Sequence, residues 1–213
     1  MRKPPFGALG ALLAALPLLP LALAAGLASA SPAPAGAATL AGVTVPDRVE
    51  AGGAGGPGGP GNQQLVLDGL GLRKKFFIKV YVGALYLPAS ERSEAKVMAA
   101  DAPRRMLFHF LYGVSASQMC DAWNEGLADN TPHPSAEVQA AFKSLCGYME
   151  AIPSGSEMAL TYLPGQGTRV EVNGKLKGTL PGKPTADAIL ATWIGPHPGP
   201  GDDFKHAVLG AAN

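Results

Sequence analysis

The stretch from Phe76 to Leu87, FFIKVYVGALYL, constrains the fold of this chain more than any other segment. It is rich in β-branched and aromatic residues, and its period of two separates Phe76, Ile78, Val80, Val82 and Ala84 from Phe77, Lys79, Tyr81 and Leu85. Both sets are largely apolar, so neither face suits open water. The run therefore predicts a central strand covered on one side by helices, with Lys79 and Tyr81 pointing into something other than bulk hydrocarbon. Arg105 to Tyr112, RMLFHFLY, reads as a second strand of the same kind.

The helices that could cover such a sheet follow at once. Ser115 with Gln118 three residues on is a capping-box pattern, and Met119, Ala122, Trp123 and Leu127 define a buried stripe behind it. Asn130 to Pro134 end that helix. Ser135 opens another, with Val138, Ala141, Phe142, Leu145 and Met149 at helical spacing, and the two should form an antiparallel hairpin. Met158 to Leu163, Thr168 to Val172 and Lys175 to Leu180 read as antiparallel strands, the last two joined by an Asn173-Gly174 turn of type I′. Thr185 is then expected to cap a helix that Gly195 stops, and a last short helix is read around Asp203 to Leu209. Strands, helices, strands and helices in this order define an α+β domain.

Ahead of the domain, Arg2 and Lys3 precede an uncharged apolar run from Phe6 to Leu27 and an Ala28-Ser29-Ala30 exit site, the order of a secretory signal peptide over residues 1–30. A second small-residue site at Ala35 to Ala37 places the expected cleavage between residues 30 and 38. Pro17 and Pro20 interrupt the apolar run, which argues for a removable segment over a membrane anchor, and no later segment could span a bilayer. Residues 31–42 read as a linker and 43–213 as one domain. Within it the glycine-proline run 51–61 is expected to be a widened hairpin loop between strands at Val43 to Val49 and Gln64 to Leu67.

The formal charge of +1 and the small size of the Arg73-Lys74-Lys75 cluster leave no electrostatic footprint for nucleic acid. There is no G-x-S-x-G, phosphate-cradling loop or H-E-x-x-H, and Gly69-Leu70-Gly71 lacks the rest of a dinucleotide fingerprint and reads as a turn. His109 reads as a hydrogen-bonded core residue, and no metal site or cofactor is implied. Cys120 and Cys146 lie about equally far from the turn of the helical hairpin. They could form a disulfide, closing a loop for about 3 kcal/mol of chain entropy, or pack as buried thiols.

Arg73 to Leu87, RKKFFIKVYVGALYL, resembles the chalcone isomerase superfamily, in particular its bacterial branch of exported chalcone-isomerase-like proteins. Val172 to Leu180, Thr192 onward (TWIGPHP) and Phe204 onward (FKHAVLG) are similar to the same family in the same order. The resemblance implies an open-faced β-sandwich, an antiparallel sheet with helices packed on one side and a ligand cleft between them. It also implies site residues. Tyr81 falls where the isomerases have a strand threonine and the related fatty-acid-binding proteins a tyrosine, and Thr192 falls on a C-terminal threonine. Met119 and Gly126 fall where a tyrosine and an asparagine are usual, with Asn124 nearby. Arg73 is the candidate arginine, although a straight strand would hold it about 26 Å from Tyr81. Lys79 is the alternative cation.

Ligand binding through Arg73, Lys79, Tyr81, Asn124 and Thr192 is thus one expectation, the ligand being amphipathic or aromatic, for example a fatty acid. The others are ring closure by an intramolecular lyase using Arg73, Tyr81 and Thr192, and a non-catalytic role as an envelope interaction protein. Export would place any of them in the periplasm or outside the cell.

Overall fold

The computed structural model describes residues 36–52 and 62–210; the expected signal segment and most of the glycine-proline run lie outside the described residues. Two short strands, β1 (Ala37–Leu40) and β2 (Val43–Pro46), pair with each other. Seven more form one antiparallel sheet in chain order: β3 (Arg48–Ala51), β4 (Gln63–Lys75), β5 (Ile78–Leu87), β6 (Arg104–Phe110), β7 (Glu157–Leu163), β8 (Gly167–Val172) and β9 (Lys175–Leu180). The helices are α1 (Glu94–Ala99), α2 (Ala116–Asn130), α3 (Ala136–Tyr148), α4 (Lys183–Ile194) and α5 (Asp202–Val208). This is the α+β arrangement, a curled antiparallel sheet with its helices on one side.

The alternation of β5 explains the layering. Leu85 and Leu87 join Phe108, Phe142, Leu145 and Ile189 in the core between sheet and helices. Val82, Ala84 and Tyr86 face the other way, where Val43 and Val45 of β2 cover them. Tyr86 donates its hydroxyl to the Pro46 carbonyl at 2.9 Å, satisfying the polar end of a fully buried ring.

Local signals account for several boundaries. Ser115 and Gln118 make both bonds of the capping box, and Ser135 accepts from the Val138 amide. Asn173 and Gly174 both have positive φ, as a type I′ hairpin requires. Ala51 pairs with Gln63, so the glycine-proline run joins adjacent antiparallel strands.

Other expectations change. The linker over 31–42 gives way at Ala37 to β1, and the strand read through Val43 to Val49 is broken at Asp47 into β2 and β3, which belong to different sheets. Gly69 and Gly71 lie inside β4 because α5 crosses the strand there. A β-carbon on Gly69 would stand 2.1 Å from the Ala207 carbonyl oxygen, and one on Gly71 would stand 2.7 Å from the Phe204 ring. Thr185 sits inside the first turn of α4, since Pro184 suits that turn and the helix starts at Lys183 with Gly182 as its cap. His109 is partly exposed on the face away from the helices, its Nδ1 3.5 Å from Glu157 Oε1.

Phe76 and Phe77 are not part of β5. They form a two-residue turn between Lys75 and Ile78, so β4 and β5 are a hairpin.

Candidate functional site

That hairpin resolves the distance between the candidate arginine and tyrosine. Arg73 and Tyr81 are direct partners in the β4–β5 register, neighbours across the ladder. The register shifts between Arg73 and Lys74 because Val80 is an extra residue in β5, a bulge that interrupts the alternation beside Tyr81. Lys79, on the far side of that bulge, is exposed and does not line the cleft, so the alternative cation is turned away from it.

The cleft is a cavity of about 560 Å³ between the sheet and the helices. Its sheet wall is Val80, Tyr81, Phe108, Phe110 and Met158; its helical wall is Met119, Trp123 and Gly126 from α2 and Thr192 and Trp193 from α4. Lys75, Phe76 and Tyr112 on one side, and Asp121 and Glu125 on the other, are exposed residues at its edge. Gly126 lets α2 approach α4, since a β-carbon there would stand 2.7 Å from the Thr192 methyl. Cys120 and Cys146 are joined, with S–S 2.01 Å and Cα atoms 4.9 Å apart, tying the α2 wall to α3.

Tyr81 is the polar group in an otherwise aromatic floor. Its ring stands edge-on to Phe108, Phe110 and Phe204 at centroid distances of 5.2, 5.6 and 5.8 Å. Its oxygen accepts from Trp193 Nε1 at 3.0 Å, which leaves the phenolic proton available to a ligand. Burial pushes this phenol up to about 12, opposed by the Trp193 hydrogen bond and the nearby Arg73 charge, so it is a neutral donor through the physiological range. Arg73 lines the cleft and has no side-chain hydrogen-bond or ion-pair partner among the described residues.

The other candidates are placed differently. Thr192 lines the cleft, but its hydroxyl donates to the Ile189 carbonyl at 2.8 Å and serves its own helix. Asn124 is exposed on α2, outside the cleft, with Nδ2 3.5 Å from Cys120 Sγ. On α2 the stripe that turns inward is Met119, Trp123 and Gly126, which excludes position 124 by helical geometry. The sequence reading missed Trp193 as the partner of Tyr81; it looked like an ordinary core residue on α4. Phe108 and Phe110 carried a signal in the alternation of β6, but alternation does not say which face meets helices. Among the described residues no group of three or more His, Cys, Asp or Glu side chains is placed to hold a metal ion.

A seven-stranded antiparallel sheet with helices on one face and a ligand-sized cleft between them is an open-faced β-sandwich. The profile of the family described as chalcone isomerase-like matches residues 37–210, and the chain belongs to that family. The crystal structure of an Arabidopsis thaliana fatty-acid binding protein is similar in fold, with a TM-score of 0.61 at 18% identity over 82% of this chain and 96% of that one. No curated protein matches the chain in sequence.

Proposed function

We propose that this chain binds an amphipathic small molecule with an acidic end, a fatty acid being the simplest example. The observation that carries the reading is the pairing of Arg73 with Tyr81 at a mainly apolar cavity of about 560 Å³, within the roughly 300–1,000 Å³ usual for small-molecule sites. An arginine without a protein partner and a neutral phenol with a spare proton together suit a carboxylate, and the aromatic and aliphatic walls suit its chain. The fatty-acid binding protein of the same fold agrees with this choice of ligand.

The test is extraction and identification of any acid carried by the purified protein, followed by titration with a fatty acid and the alcohol of equal length. Arg73→Ala should weaken the acid about 10- to 100-fold, as expected for a charged hydrogen bond, and leave the alcohol nearly unchanged. Equal losses for both, or no binding of either, would count against the reading.

A second reading is an intramolecular lyase, favoured by the same cation-phenol pair, which could stabilise a phenolate. With Thr192 committed to Ile189 and Asn124 outside the cleft, fewer groups are on hand to orient a ketone. Turnover of a chalcone above its spontaneous rate, abolished in Arg73→Ala, would establish it. An envelope role with a vestigial cleft would suit a cavity filled by its own side chains, and this one is open. Export to an oxidising compartment completes the proposal, supported by the leader pattern and by the joined cysteines.

A further inference from the structure

The turn between β4 and β5 holds two large apolar side chains out in water. A two-residue hairpin needs positive φ, which glycine and asparagine supply cheaply, and the β8–β9 hairpin uses Asn173 and Gly174 for it. The β4–β5 hairpin instead holds Phe76 at φ 55, a conformation that bulky residues rarely adopt. Neither ring is buried in return: Phe76 is 87% and Phe77 94% exposed, and Tyr112, beside Phe76 at the edge of the cleft, is 54% exposed. Of the described residues, these are three of the four large apolar side chains left open to water, the other being Leu176.

The charges around the turn have one sign. Lys74, Lys75 and Lys79 are exposed on its last two rungs, Arg73 follows, and no Asp or Glu occurs from Gly69 to Ser90. Among the described residues these lysines have no ion-pair partner. Exposed aromatic rings ringed by lysines are the chemistry of a bilayer interface: the rings enter the headgroup boundary and the ammonium groups meet anionic phosphates. Asp121 and Glu125 stand across the cleft on α2, so the contact belongs to the hairpin tip and not to the whole rim.

We propose that the Phe76-Phe77 hairpin is a membrane-surface anchor that seats the cleft against a bilayer containing anionic lipid. The inference does not depend on which molecule occupies the cleft. Seated in this way, the edge formed by Lys75 and Phe76 lies where an amphiphile leaves or enters the lipid phase.

The experiment is flotation of the protein, as cells deliver it, with vesicles of phosphatidylcholine alone or mixed with phosphatidylglycerol. The wild type should bind the mixed vesicles, less at high salt, and the neutral ones weakly. Lys74→Gln with Lys79→Gln should weaken binding about tenfold or more. Phe77→Ser should abolish stable attachment while leaving the thermal transition in place. In Phe77→Trp the added fluorophore should shift to the blue and be quenched by lipids brominated near the headgroup, beyond any change from the native tryptophans. Equal flotation of the wild type and all variants, or a tip tryptophan that vesicles do not change, would overturn the proposal. So would sedimentation showing that the rings hold two copies together and that vesicle binding is absent.

Discussion

Tyr81 combines a polar end with mostly apolar surroundings that disfavour its ionised form. Its ordinary pKa near 10 applies to the unfolded chain, while burial raises the folded value to about 12. The neutral phenol therefore contributes stability that is complete below pH 10 and is lost as pH rises from 10 to 12. Tyr81→Phe has no such proton to lose. Its melting temperature should fall less steeply than that of the wild type over this window, although Tyr86, likewise raised to about 12 by burial, stays common to both. Parallel curves would mean that the ionised phenol is as well accommodated in the folded protein as in the unfolded chain. At the same scale, Tyr81 and the register position of Arg73 show what local sequence could say. Both residue types were readable, but their adjacency was not, because Phe76-Phe77 carries none of the glycine, asparagine or proline that marks a turn.

At the scale of elements, the cleft depends on how closely helices approach the sheet and each other. Gly69 makes room for α5, and Gly69→Ala would place a methyl group against backbone, which cannot yield as a side chain does. A loss of about 1–3 kcal/mol or more is expected, read as a fall of several degrees in the thermal transition. An unchanged transition would mean that α5 is free to shift outward. The pairing of Cys120 with Cys146 spans 26 residues, and opening it with Cys120→Ser and Cys146→Ser should cost about 3 kcal/mol, measured by urea unfolding. Reductant should produce the same loss in the wild type and none in the double variant. The paired helices were legible from capping residues and apolar stripes, because both are local. The place of Gly69 and Gly71 was not, since their partner α5 lies more than 130 residues away in sequence.

For the whole molecule, the proposals of export and ligand capture make a joint demand on the mature protein. If the leader is removed as the sequence pattern implies, the N-terminus of protein recovered from its native envelope should fall between Ser31 and Ala38. Protein that still begins at Met1 and resists extraction without detergent would point to an anchor. The family match beginning at residue 37 agrees with where the described domain starts, β1 being its first strand.

Taken by itself, the sequence determined the class of fold, most of the strands and helices, and the candidate arginine and tyrosine of the site. Periodicity, caps and turns act over a few residues, so they can be read from neighbours along the chain. Only the tertiary structure decided which candidates share the cleft. It brought Arg73 to Tyr81 through a turn made of two phenylalanines, gave Tyr81 the Trp193 indole as partner, and turned Lys79 and Asn124 outward. The physical reason is that a bulge, a helix crossing and a close approach at glycine are set by packing between distant segments, and no local pattern records the direction in which a side chain finally points.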